Sequence, residues 1–196
     1  MGVIGDVSET LVATLTDALS ALTPMTPPLA ALHDLQSSVS TNPATLAVFL
    51  YEVAEDASTR NRPMVRRPRP AGAEFSKPPL TLQLKYLLVP FAGDAKTEQQ
   101  MLGRAMQALY EHPIFSGPDL RGSPAPAGLV GSAEVITTTL DPLTLDERSR
   151  IWHAIQKPYR LSLSYQIRVV NVEPEGRSPA SLVRSLNFDP AVPVDL

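Results

Sequence analysis

Apolar residues in this chain recur with two different periods, and the switch between them marks out the elements. Ile4, Val7, Leu11, Leu15, Leu19 and Leu22 follow one another at three- and four-residue steps, the spacing of a single helix face. This predicts a helix over Asp6–Leu22, with Asp6 and Glu9 as a capping pair and Thr23-Pro24 as the stop. The opposite face carries Thr10, Ala13, Thr14, Ala18 and Ala21 and no Lys or Arg. Such a face fits burial within the domain or contact with another subunit. Leu46–Glu55 (LAVFLYEVAE) is apolar on both sides and rich in strand formers, which predicts a central strand. In Pro79–Phe91, Leu80, Leu82, Leu84, Tyr86 and Leu88 alternate with Thr81, Gln83 and Lys85, and both sides turn apolar at Leu87 and Val89. In Tyr159–Val170, Tyr159, Leu161, Leu163, Tyr165, Ile167 and Val169 oppose Arg160, Ser162, Ser164, Gln166 and Arg168. Both patterns have the two-residue period of strands. Leu29–Leu35 and Val130–Leu140 are weaker strand candidates.

Two further helices are expected from capping boxes. Thr97 with Gln100 precedes Met101, Leu102, Ala105, Met106 and Leu109, and His112-Pro113 ends the run. Thr144 with Glu147 precedes Ile151, Trp152 and Ile155. Strands interleaved with helices need crossovers, so the expected fold is α/β (α+β): a single mixed β-sheet with about three packed helices.

A length of 196 residues fits one domain of moderate size, and 43% hydrophobic against 19% charged residues excludes wholesale disorder. The absence of cysteine removes disulfides, thiolate zinc sites, iron–sulfur clusters and cysteine nucleophiles together. The start, Met1-Gly2-Val3-Ile4-Gly5-Asp6, does not read as a signal peptide, and no apolar run is long enough to span a membrane. The expectation is a soluble protein, cytoplasmic where it is made. The 20 prolines, about twice the usual share, cluster at 24–28, 63–79, 113–126 and 174–193. They are expected to mark where regular structure stops. This gives a domain over 1–172, interrupted by a Pro/Arg-rich loop at 56–79, and an irregular tail at 173–196.

Candidate chemistry is sparse. The P-loop, dinucleotide-binding, nucleophile-elbow and H-E-x-x-H motifs are all missing. His33, His112 and His153 lie in three separate segments, so a three-ligand metal site has no local support. Asp146-Glu147 falls in a first helical turn, where negative charge favours the helix dipole. No catalytic, cofactor or metal residue is therefore assigned, and the expectation is a protein that is not an enzyme.

Net charge is −3, but the sign is segregated. Residues 1–59 hold seven acids and no Lys or Arg, residues 60–104 nine bases and three acids, and residues 105–196 eight bases and ten acids. The densest feature is the run Arg60, Arg62, Arg66, Arg67 and Arg69, with Lys77 close behind. It fits a solvated hairpin loop, a proline-stiffened arm reaching an acidic surface on a neighbouring subunit, or a phosphate-neutralising segment of a nucleic-acid-binding module. The last reading lacks interleaved aromatics before Phe75. The tail adds apolar Leu182, Val183, Leu186 and Phe188, which fit docking on a neighbour, docking on another component of the same assembly, or folding back on the domain.

The succession Leu82-Gln-Leu-Lys-Tyr-Leu-Leu-Val89, Leu102-Gly-Arg-Ala-Met-Gln-Ala-Leu109, Tyr110-Glu-His-Pro-Ile-Phe115, Ile151-Trp-His-Ala-Ile155 and Tyr159-Arg-Leu-Ser-Leu-Ser-Tyr165 resembles a known family. It is the one typified by the N-terminal domain of the cap, or tail-terminator, protein of phage-tail-like contractile injection particles. The resemblance spans about residues 4–172 and rests on order and spacing. His153 departs from it, and the Pro/Arg-rich segment is not explained by it. It implies a tail-terminator-like fold and a structural role without cofactors. Its implied partners are the chain itself, as a homohexameric ring, and inner-tube and sheath proteins, at the end opposite the baseplate. It also implies assembly in the cytoplasm into a particle that can be released from the cell. A terminator at a phage head–tail joint is an alternative within the same class.

Overall fold

The segments with the strictest alternation lie side by side at the centre of a six-stranded sheet. The structure, a computed structural model, describes residues 2–22, 26–58, 62–69, 72–77, 79–125, 128–172 and 177–181. In chain order the elements are α1 (Val3–Leu19), β1 (Leu29–Leu32), β2 (Thr45–Glu55), β3 (Val65–Arg69), β4 (Gly72–Ser76) and β5 (Leu80–Phe91). They continue with α2 (Ala95–Glu111), β6 (Ile114–Ser116), a 3-10 turn (Gly117–Asp119), β7 (Val135–Leu140), α3 (Leu145–Ile155), β8 (Leu163–Val172) and β9 (Arg177–Ser181). The main sheet runs β1-β2-β5-β8-β7-β6, with β1 parallel to β2 and every other pair antiparallel. This is the mixed sheet with three helices that the patterning predicts.

Helices cover the sheet unequally. On one face Leu46, Val48, Leu84, Tyr86, Leu88, Tyr165, Ile167 and Val169 bury against Val7, Leu11, Leu15 and Leu19 of α1 and Met101, Leu102, Ala105 and Leu109 of α2. On the other, Ala47, Leu87 and Val89 meet Trp152 and Ile155 of α3 and Leu35 of a loop. Strand stretches that are apolar on both sides are therefore those sandwiched between helices. Beyond α3 the second face is polar, which is why β2 is buried at its first four positions and exposed towards Glu55.

Several boundaries differ from expectation. α1 begins at Val3 and ends at Leu19; its N-cap is Gly2, with no side-chain cap bond. Asp6 is no cap but is 3% exposed and reaches a distant loop. α2 is capped by Asp94, whose carboxylate accepts from the Thr97 amide, so the helix starts before the expected Thr97/Gln100 box. The Thr144/Glu147 capping box of α3 is present as predicted. β8 begins at Leu163 because Arg160 is drawn aside to Glu98, Pro90 and Phe91. β1 stops at Leu32, ahead of Leu35, which has a left-handed φ of 59°.

The Pro/Arg-rich segment is more regular than its prolines suggest. β3 and β4 form an antiparallel hairpin, and β9, from the segment expected to be an irregular tail, pairs with β4 to make a three-stranded sheet, β3-β4-β9. Pro68 and Pro179 lie inside β3 and β9. Both are edge strands, where a missing amide costs no ladder bond. The sequence expectation treated proline as a stop signal, and the edge position is what lifts that rule.

Candidate assembly surface

Three consecutive strands of the main sheet give rise to the small one. β2 leads towards β3, β4 towards β5 and β8 towards β9, so the order β3-β4-β9 repeats β2-β5-β8. The exits share one end, since Glu55 stands opposite Leu82 and Leu80 opposite Val172. Among the described residues the small sheet pairs only within itself. It is an arm, with both edges blunted by proline against further strand addition.

The root of the arm is clamped. Asp56, buried at the end of β2, accepts from the Ser58 amide (3.0 Å) and hydroxyl (2.8 Å) and pairs with Arg168 of β8. The Ser58 bonds, with Arg168 adding to them, hold the Asp56 carboxyl below the usual carboxylate range. The Asp56 amide also bonds Thr81 O at 2.9 Å, so β2, β5 and β8 are tied together where the arm leaves.

Of the five arginines, Arg62 and Arg66 are exposed, next to exposed Met64. Arg67 and Arg69 stand in β3 opposite Glu74 and Gly72. Arg60 lies outside the described residues, as do Leu182, Val183, Leu186 and Phe188. Arg66 stands opposite Phe75, and Phe75 opposite Ser178. The structure thus brings Arg62, Arg66, Arg67 and Arg69 onto one strand and its approach.

The polar half of the second sheet face holds a side-chain cluster. A register shift between Leu50 and Glu52 of β2, the mark of a bulge, coincides with Tyr51, whose hydroxyl meets Ser164 Oγ at 2.9 Å and donates to Asp141 Oδ2 at 3.3 Å. Lys85 Nζ lies 3.2 Å from Glu52 Oε2 and 3.9 Å from Asp141 Oδ2. Burial, with the Asp141 and Glu52 charges adding to it, pushes the Tyr51 phenol up to about 12. A nucleophile or general base needs the opposite shift at neutral pH, so the cluster reads as structural. The histidines stand apart: His33 in the loop after β1, His112 as the C-cap of α2, and His153 exposed on α3.

Two further features went unseen in the sequence. The first is the latch between α1 and the loop after the 3-10 turn. Asp6 Oδ1 accepts the Ser123 amide (3.1 Å) and Oδ2 the Leu129 amide (2.9 Å); Thr10 Oγ1 accepts the Arg121 amide (2.9 Å). Of the small-residue face of α1, Thr10 is thereby used internally and Ala18 O accepts from Arg104 of α2, whereas Ala13 and Thr14 line an open groove and Ala21 is exposed. The second is a groove of about 470 Å³ between residues 35–39 and 157–160, lined by Leu35, Val39, Phe91, Trp152 and Tyr159 with Lys157 and Arg160. Both are tertiary contacts between segments far apart in sequence, and no local pattern announces them.

A mixed sheet with two helices on one face and one on the other, extended by a clamped basic arm, defines a scaffold that presents surfaces. The sequence matches the Pvc16 N-terminal domain over residues 6–185, and the chain belongs to that family. No curated protein matches it. Among solved structures, it is similar to the sheath/tube terminator of PVC, an extracellular contractile injection system, in the extended state. That match has a TM-score of 0.63 at 21% identity, covering 98% of this chain and 65% of the other. It is also similar to the cap of the anti-feeding prophage, a tube-terminating cap, with a TM-score of 0.58 at 18% identity over 90% of this chain and 59% of the other. The chain thus spans less than two thirds of the length of either protein. Among the described residues, no helix is long and apolar enough to cross a membrane.

Proposed function

We propose that the chain is a structural assembly protein that caps or terminates the tube and sheath of a contractile, phage-tail-like particle at the end opposite the baseplate. The observation that carries this reading is the family fold, shared along nearly the whole chain with proteins described as a sheath/tube terminator and a tube-terminating cap. In this reading copies of the chain form a ring, a homohexamer, that meets tube and sheath proteins. It is assembled in the cytoplasm and carried in a particle that can leave the cell. It acts without catalysis, by shape.

A closed ring needs a heterologous interface, one patch meeting a different patch on the next subunit, with about 800 Å² buried per partner in a stable contact. The arm and the acidic remainder of the chain supply two unlike surfaces. In this reading Arg60, Arg62, Arg66, Arg67 and Arg69 form the basic side of that contact, and Leu182, Val183, Leu186 and Phe188 add an apolar one. Deleting the gene in a producing strain is expected to give particles of uncontrolled or unstable length. Particles of normal length and stability would overturn the reading.

A further inference from the structure

We infer that the groove beside Trp152 is the receptor for residues 182–196 of a second copy of this chain. The groove is a built feature. Leu35, 3% exposed, holds its left-handed φ of 59°, a conformation that costs a bulky residue energy and persists only where the surroundings enforce it. His33 Nδ1 accepts the Leu35 amide at 2.9 Å and Asp34 Oδ1 the Gln36 amide at 3.0 Å. Across the gap, Lys157 Nζ donates to Gln36 O at 3.1 Å. Arg160 lies 4.5 Å over the Phe91 ring and bonds Glu98 Oε1 at 2.6 Å. The result is an apolar trough with cations at its lip and half-open Tyr159 beside it, 44% exposed.

The occupant follows from chemistry and from where the chain goes. The sequence after Ser181 reads LVRSLNFDPAVPVDL, with Leu182, Val183, Leu186 and Phe188 as apolar anchors and Asp189 directly after the last. Leu186 and Phe188 match the trough, and Asp189 matches Lys157. Pro190 and Pro193 reduce the ordering cost of an extended segment. Ser181 stands opposite Gly72, at the turn end of the arm. Phe91 is at the far end of β5 from the arm. The strand path from Gly72 to Phe91 is roughly 60 Å at about 3.3 Å per residue, whereas Leu182–Phe188 reaches about 25 Å when extended. Ser181 thus lies at the tip of the arm and Phe91, in the trough, at the opposite end of β5, an arrangement that suits a head-to-tail contact. The inference rests on the ring reading only in needing a second copy.

Because the chain has no cysteine, crosslinking can be site-directed. Phe188→Cys and Tyr159→Cys chains are mixed and oxidised, and native mass is measured in parallel. A mixed-chain disulfide is expected in the mixture, reduced about tenfold by Lys157→Glu and competed away by excess peptide of residues 182–196. Asp189→Cys with Lys157→Cys is a second pair, should either first variant fold poorly. A ring mass without crosslinks at either pair would overturn the inference and leave the ring standing. Monomers without crosslinks would overturn both. A disulfide that forms within doubly substituted chains, independent of concentration and absent from the mixture, would place the tail in its own groove and overturn the second-copy assignment.

Discussion

Asp6 joins the first helix to a loop more than a hundred residues later. It sits early in α1, 3% exposed, and takes the Ser123 and Leu129 amides. Removing the carboxylate leaves two amides without their partner, so Asp6→Ala is expected to cost about 2 kcal/mol, read as a shift in the urea midpoint. The fit around it is close. A Cβ at Gly122 would stand 2.3 Å from the Asp6 carboxyl, and one at Gly128 would stand 2.2 Å from Asp6 Oδ2 and 2.4 Å from Ser123 O. Gly122→Ala, at φ +107°, adds backbone strain to the clash. Gly103, exposed inside α2, has nothing within 4 Å of a new Cβ. There alanine is expected to stabilise by about 0.5–1 kcal/mol. Opposite signs from the same substitution are what denaturation curves should show. In the sequence Asp6 looks like a cap, because acids before an apolar run usually are. Only the distant loop makes it a latch.

At the scale of elements, legibility followed periodicity. β5 and β8 announce themselves by alternation, and the helices by their three- and four-residue steps. Thr144 with Glu147 forms its capping box in the structure, Thr144 Oγ1 accepting the Glu147 amide and Glu147 Oε2 the Thr144 amide. Thr144→Ala is expected to cost about 1 kcal/mol, measured by thermal or urea unfolding. Thr97 carries a similar signature yet is not a cap, since Asp94 is better placed three residues earlier. The short β6 left no pattern, being three residues held by pairing with β7. The arm was hidden for a different reason. Prolines argue against strands only where both neighbours must be paired, and the sequence does not say which strands will be edges.

The whole molecule responds to charge in two separable ways. Burial pushes Tyr51 and Tyr86 up to about 12, the latter beside Ser8 at 2.7 Å. A native value above the ordinary 10 favours the protonated form on folding. The contribution is therefore full below pH about 10 and lost as pH rises through about 12. Stability measured against pH should fall across that window, and less steeply in Tyr86→Phe once its own loss is subtracted. Assembly should respond to salt instead. Arg62→Ala with Arg66→Ala removes exposed charge from the arm without touching the core. In the proposed ring it is expected to shift assembly towards monomers, more at low than at high ionic strength, as judged by native mass. Unchanged assembly would retire the arm as a contact.

Local order set much of this protein in advance: which stretches are helix or strand, and which faces are apolar. Those properties depend on neighbours within a turn or a pleat, so periodicity carries them. The tertiary structure alone decided that Arg66, Arg67 and Arg69 lie in a strand of an arm, that β9 completes it, that Asp6 is a latch, and that Leu35, Phe91, Trp152 and Tyr159 enclose a groove. Each joins residues far apart along the chain, and a contact across such separations is fixed by how whole elements pack, not by any spacing that can be read in one dimension.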